Sequence, residues 1–210
     1  MLLVATDLVP QQMRLGHLNA VTEFLTACSC SVYFNSWCGG ASVNHFHCHL
    51  IHELPPVARL PLVPGAFVLG KQCQTPDGFP GSCYVFNAET ELATVDVTVR
   101  AMQEDNQPHN ILFIPPRSKT RSQRIYIFPK PHARPSRSLE LYPCAVGGPE
   151  LLGCFTLRTQ RDFDSFSSEM ADEVVRINTA ELPMILLRRV NRLSNLFIDV
   201  KLSSNREHET

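Results

Sequence analysis

Residues 41–54 read ASVNHFHCHLIHEL and hold four of the chain's eight histidines. His45, His47 and His49 take every second position of an otherwise apolar run. In an extended strand alternate side chains share one face, roughly 6.5–7 Å apart. The three imidazoles therefore line one side, and Phe46, Cys48 and Leu50 line the other. Three readings compete for such a strip. One or two of the rings could simply be partly buried and satisfied by backbone acceptors. The strip could bind zinc, for which neutral imidazole is a good ligand. Or it could do phosphoryl chemistry, one imidazole attacking phosphorus while its neighbours donate hydrogen bonds to phosphate oxygens.

The residues just upstream favour the third reading. "GGAS" (39–42) is a run of small residues that lets an anion approach backbone N–H groups. Gly40 sits in that turn, Ser42 adds a hydroxyl, and Asn35 adds an amide. No carboxylate falls inside the strip, Glu53 lying beyond it, so an anion suits the site better than a dication and no metal is expected. Histidine fits nucleophilic attack on phosphorus because its ordinary pKa, about 6.5, leaves the neutral ring abundant near pH 7. Its Nδ1 proton needs an acceptor if Nε2 is to be the attacking atom.

The elements that must position these residues can be read from periodicity. "LLVA" at the start is a short strand. Met13, Leu18, Val21 and Leu25 predict a helix from Pro10 to about Thr26. "CSVYFNS" (30–36) is a strand, "WCGGASVN" a turn, and "HFHCHLI" (45–51) the histidine strand. Residues 53–82, rich in proline and glycine, read as loop, with room for short strands. Leu92, Val95, Val99 and Met102 give a helix over about 90–104. "HNILFI" (109–114) and "RIYIF" (124–128) are strands joined by the basic loop "PPRSKTRSQ". "GCFTLRT" (153–159) is another strand, followed by helices near 167–177 and 180–195. The resulting class is α+β, a mostly antiparallel sheet with flanking helices. Residues 1–202 form one domain and 203–210 a polar tail.

Composition sets outer limits. A net charge of −1 over 210 residues argues against nucleic acid or an anionic membrane as partner. No apolar run is long enough to span a bilayer, and the first residues make a poor signal peptide, so a cytoplasmic protein is expected. The eight cysteines form no CxxC pair and read as buried free thiols.

"HFHCHLI" resembles the histidine-triad motif. The longer stretch "VYFNSWCGGASVNHFHCHL", with "PHNILFIPPR", "RIYIFPKP" and "LLGCFTLRTQRDFDSFSSE", resembles the galactose-1-phosphate uridylyltransferase branch of that superfamily. The similarity is strongest to the GDP-D-glucose and GDP-L-galactose phosphorylases, and it spans about four-fifths of the chain. It implies an open antiparallel sheet and cleavage of GDP-hexose by inorganic phosphate, with no cofactor. By that resemblance His47 is the nucleophile that becomes guanylylated. His45 and His49 flank it, His49 touching phosphate, and Asn35 and Ser42 lie around the nucleotide phosphate. Histidine at the third triad position keeps hydrolysis open, and a nucleotide-binding protein without turnover is a further alternative. Family members carry a segment before the region that Met1 matches, so the sheet is expected to be incomplete at its start. The reading leaves room for a homo-oligomer.

Three other features are candidates of lesser weight. His109 precedes a strand and is expected to be structural rather than part of the site. Arg117, Lys119, Arg121 and Arg124 could hold a diphosphate but read better as a solvated loop. Lys130 and His132, set among prolines, read as an exposed turn.

Overall fold

The computed structural model describes residues 1–116 and 122–182. Its centre is an eight-stranded antiparallel sheet in the order β1-β3-β2-β7-β8-β6-β5-β4. The strands are β1 (Leu2–Val4), β2 (Ser31–Asn35), β3 (His47–Ile51), β4 (Leu62–Val68), β5 (Lys71–Pro76), β6 (Tyr84–Asn87), β7 (His109–Ile114) and β8 (Arg124–Pro129). The α+β class and the open sheet match expectation.

Two helices, α1 (Leu15–Ala27) and α2 (Ala88–Glu104), cover one face. Leu18, Val21, Leu25, Val95, Val99 and Met102 pack there on Val32, Phe34, Cys48, Ile111 and Phe113. The other face carries Tyr33, Val85, Leu112, Tyr126 and Phe128, covered by Tyr142, Leu151, Val174 and Val175. Tyr142 directly follows α3 (Ser136–Leu141), Leu151 ends α4 (Gly148–Leu151), and Val174 and Val175 lie in α6 (Ser168–Asn178), which follows the exposed α5 (Gln160–Ser165). Every residue of β7 is buried. A central strand covered on both faces has no polar side, which is why "HNILFI" lacks the alternation of a half-exposed strand.

Several elements depart from the sequence reading, each for a local reason. Helix α1 begins at Leu15 rather than Pro10. The segment before it is irregular and is tied to the residues that lead into the histidine strand, with Phe46 N–H donating to Val9 O and Gln11 N–H to Asn44 Oδ1. Helix α2 begins two residues before Thr90, because Asn87 caps it: Asn87 Oδ1 accepts from Glu89 N–H while Glu91 Oε2 accepts from Asn87 N–H.

The 53–82 stretch holds a 3-10 helix (Pro56–Arg59) and the β4–β5 hairpin. Leu69 and Gly70 turn that hairpin with φ of 53° and 73°, as a two-residue reversal requires. Pro64 is tolerated because β4 is an edge strand, and the register shifts beside it.

The strand expected at 153–159 is absent. Its backbone is satisfied elsewhere: Cys154 N–H donates to Pro149 O, and Thr156 N–H to the Tyr142 hydroxyl. Phe155 packs against Tyr142 and Phe166. Helix α6 matches the one expected at 167–177. The helix expected at 180–195 falls beyond residue 182 for most of its length, and residues 180–182 are not helical. It and the tail at 203–210 lie outside the described residues, as do Arg117, Lys119 and Arg121 of the basic loop. No helix among the described residues is long and apolar enough to cross a membrane.

Candidate active site

The histidine strip forms one wall of a cleft of about 550 Å³. The cleft gathers His45, His47 and His49, Asn35 from the end of β2, and Gly40 and Ser42 from the turn that follows it. All six residues singled out from the sequence therefore border one space. The opposite wall is the segment Ala145–Glu150, which leads into and through most of α4. Leu2 and Val4 complete the rim, because β1 pairs with β3 in the register Leu2↔His49 and Val4↔His47. Phe46 and Cys48 point away into the core, as the period-two reading requires. His45 differs in one respect: it precedes β3, and its Nε2 donates to Ala5 O at 3.0 Å.

His47 has the geometry of an oriented nucleophile. Its Nδ1 lies 2.8 Å from the backbone carbonyl of His45. A carbonyl has no proton to give, so Nδ1 carries the hydrogen, and in the neutral ring Nε2 is left with its lone pair. The backbone at this position is pinned too. The amide of Gln11, which is fully buried, accepts from His47 N–H at 2.8 Å and donates to His47 O at 3.0 Å and to Asn35 O at 2.8 Å. Pairing of β2 with β3 ends at Tyr33↔His49. Beyond that point the strands diverge, and the Gln11 side chain takes the place of the missing ladder bonds.

His49 is stacked on Tyr33, with ring centroids 4.7 Å apart and planes inclined by 10°. Burial, and then the neighbouring His47, push the His49 pKa below the ordinary histidine value. His49 is therefore a neutral ring at pH 7. The Tyr33 hydroxyl is pushed the other way, upward, by burial and by the charge of Glu150, with a hydrogen bond from Asn35 opposing. Asn35 is fixed from behind: Asn110 Nδ2 on the adjacent β7 donates both to Asn35 Oδ1 and, at 3.1 Å, to Gly39 O.

The facing wall is built by close approach. A Cβ on Gly148 would lie 2.4 Å from the Tyr33 ring, so only glycine lets this segment sit over the tyrosine. Gly40 has φ of +126°, a conformation side chains rarely adopt. Among the described residues lining the cleft Glu150 is the one carboxylate, and both its oxygens are engaged. Oε1 accepts from the Tyr142 hydroxyl at 3.0 Å and Oε2 from Gly147 N–H at 2.7 Å. Among the described residues no cluster of three or more His, Cys, Asp or Glu could hold a metal ion.

Three of the lesser candidates resolve differently. His109 is buried on the opposite face of the sheet, beside Phe34, and does not reach the cleft. Lys130 is not an exposed turn residue. It is only 8 % exposed, because its ammonium group is drawn under the cleft by the carbonyls of Gly39 and Val146. His132, in contrast, is exposed and near Asp105. The cysteines are free, but only Cys30, Cys48, Cys73 and Cys83 are buried, and Cys38 and Cys154 are exposed. Gln11, Tyr33, Asn110, Lys130 and the Gly147–Glu150 segment were not anticipated in the site. The second Gly-Gly pair, at 147–148, is the one local signal that could have pointed to the facing wall.

No family model matches this sequence, and no curated protein matches it. Solved structures do. The chain superposes on yeast Ap4A phosphorylase with a TM-score of 0.60 and 12% identity, over 85% of this chain and 69% of that one. The same enzyme in complex with AMP gives a TM-score of 0.61 and 13% identity, over 86% and 68% of the two chains. A uridylyltransferase structure aligns only loosely, with a TM-score of 0.40, at 12% identity over 84% of this chain and 69% of that one. The class of fold is thereby fixed: it is the fold of the Ap4A phosphorylase, an open antiparallel sheet with flanking helices, as the histidine-triad resemblance implied.

Proposed function

We propose that the chain is a nucleotidyltransferase that works through a covalent nucleotidyl-histidine at His47, with GDP-hexose as donor and inorganic phosphate as acceptor. His47 Nε2 attacks the α-phosphorus of GDP-hexose, and the bond to the bridging oxygen breaks. Hexose 1-phosphate leaves, carrying the β-phosphorus. An oxygen of inorganic phosphate then attacks the guanylyl phosphorus, the N–P bond breaks, and GDP is released with His47 restored. No metal or other cofactor takes part. Two displacements through an intermediate replace one difficult transfer.

The observation that carries this reading is the hydrogen bond from His47 Nδ1 to His45 O, which leaves Nε2 as the basic nitrogen of a ring bordering the cleft. The fold adds weight, because the superposed yeast enzyme is a phosphorylase that has been captured with AMP. The guanine base and the hexose rest on the sequence resemblance alone. His49 and His45 flank the phosphate, and Asn35, Gly40 and Ser42 lie around it.

Incubation with GDP-glucose labelled in the α-phosphate tests the mechanism. Intact protein should gain one acid-labile label that inorganic phosphate discharges as GDP. No label on the parent, or an undiminished label on His47→Ala, sinks the covalent mechanism. Release of GMP independent of phosphate would instead identify a hydrolase, and GDP binding without turnover would identify a nucleotide-binding protein.

A further inference from the structure

Lys130 follows directly on β8, among prolines, yet it is among the most deeply placed charged groups of the described residues. Its Nζ donates to Gly39 O at 3.2 Å and to Val146 O at 2.7 Å. These carbonyls belong to the two loops that form the cleft. Gly39 precedes Gly40 of the turn after β2, and Val146 opens the Gly147–Gly148 segment. One ammonium group therefore ties the walls together from beneath.

Its environment is unusual for a buried cation. Among the described residues no carboxylate lies within 4.0 Å of Nζ. The nearest acidic influence is Glu150, whose oxygens are already occupied by Tyr142 and Gly147. Arg134, from the segment after β8, opposes it and repels. The other titratable groups around Lys130 are His132 and Cys38, which border the small cavity on its far side, and Cys144, whose carbonyl accepts from Arg134. A buried ammonium held by carbonyls alone is costly unless a countercharge completes it.

We propose that Lys130 is the positioning residue of an anion subsite: its charge, delivered from beneath the Gly39–Gly40 turn and the Val146–Gly148 segment, makes the floor of the cleft a receptor for the phosphates of a nucleotide. The inference rests on the proposed function for the identity of the occupant. It does not need a covalent step. The anion supplies the missing countercharge, and Lys130 holds both loops at the spacing that admits it. Burial lowers the Lys130 pKa to about 8. The amine is thus charged at pH 7 and loses its charge just above, where phosphate esters, with a second pKa of about 6, no longer titrate.

The test is equilibrium titration of the full chain with AMP and with GDP between pH 7 and 9.5, on the parent, Lys130→Arg and Lys130→Met. The parent should lose affinity by about tenfold as pH rises through 8, the scale of one partly screened charge. Lys130→Arg, with a charge fixed across this range, should bind with a flat profile. That flatness would tie the pH dependence to the charge on Lys130 itself. Lys130→Met should bind about tenfold more weakly at pH 7 and be flat. A parent profile that is flat, a Lys130→Met protein that binds as the parent does, or no binding of either nucleotide overturns the inference. Lys130-dependent binding without labelling of His47 would uphold the subsite while the covalent mechanism fell. Labelling of His47 with affinity indifferent to Lys130 would do the reverse.

Discussion

His47 and His109 stand at the starts of two strands and are held by the same bond. Each donates Nδ1–H to the carbonyl two residues earlier, His47 to His45 O at 2.8 Å and His109 to Gln107 O at 2.9 Å. Each is therefore the same tautomer, with Nε2 unprotonated. Their surroundings are opposite. His47 is half-buried at the cleft, whereas His109 is fully buried, its Nε2 has no partner among the described residues, and burial takes its pKa down to about 4. A tautomer lock is thus not a functional signature in itself. It becomes one where the free nitrogen can meet a substrate.

Removing each ring in turn separates the two histidines most strongly. His47→Ala should take turnover of GDP-hexose to background, a loss of at least about 10³-fold for a missing nucleophile. Nucleotide binding should largely survive, since the other donors remain. His109→Leu should keep measurable turnover, because the ring lies across the sheet from the cleft. Steady-state kinetics beside GDP titration reads both. Turnover retained by His47→Ala and abolished by His109→Leu would invert the roles.

The same contrast explains what could be read in the sequence. The histidine strip was legible because a strand's two-residue period is a local rule, and His45, His47 and His49 obey it within five positions. Strand β7 and helix α2 were legible for similar reasons, a continuous apolar run and an apolar stripe. The partners of the strip were not. Gln11 reaches His47 from 36 residues away and Lys130 reaches Gly39 from 91. Nothing in "VPQQM" marks one glutamine as a strand surrogate. "FPKPH" looks like a turn because prolines usually mark one, yet its lysine folds inward to two carbonyls that no local pattern announces. The failed strand at 153–159 belongs here too. Its apolar alternation was real, but the Tyr142 hydroxyl and Pro149 carbonyl took the backbone bonds a strand would have used.

Acid separates the two histidines next. A ring whose folded pKa is lowered to about 4 from an ordinary 6.5 binds its proton more readily in the unfolded chain. Its contribution to stability is fully present above pH 6.5 and is lost as pH falls from there toward 4. That range of about 2.5 units corresponds to about 3 kcal/mol. Urea midpoints measured from pH 7 down to 4 should show this fall in the parent and a shallower one in His109→Leu. Equal slopes in the two proteins would mean that His109 is not the neutral buried ring described.

The two backbones are braced differently: the Ser36 hydroxyl accepts from His109 N–H, whereas the Gln11 amide bonds His47 N–H, His47 O and Asn35 O together. Gln11→Ala removes three hydrogen bonds at once, one buried and two part-buried, and leaves Asn35 O, His47 O and His47 N–H without them. Water can enter the gap from the cleft, so the cost should fall near about 2 kcal/mol rather than at three full penalties. Turnover should drop more than binding does, since the released strand carries the nucleophile. A thermal melt together with the ratio of kcat to KM would show it. A variant as stable as the parent would mean that the divergence of β2 and β3 needs no bridge.

The smallest effect expected is at His49, and it depends on charge state. If His49 were an imidazolium, replacing it with glutamine would remove a charged donor to phosphate, a change on the order of 1–3 kcal/mol. The structure argues for the lower end. Burial and the neighbouring His47 hold the His49 pKa down, so at pH 7 the ring is a neutral donor. A glutamine amide is a neutral donor of similar reach. What it cannot replace is the parallel stack on Tyr33 at 4.7 Å. That contact is worth about 0.5–1.5 kcal/mol where aromatic pairs have been compared. His49→Gln should therefore lose about 1 kcal/mol of transition-state stabilisation, roughly fivefold in kcat/KM. Tyr33→Leu in the parent should cost a similar amount, and the same change in the His49→Gln background should cost less, because the stack is already gone. A double-mutant cycle on kcat/KM measures that coupling. Additive losses would mean that the stack does not position His49. A loss of a hundredfold or more from His49→Gln alone would mean that the ring is charged when it meets phosphate, and the neutral assignment would fall.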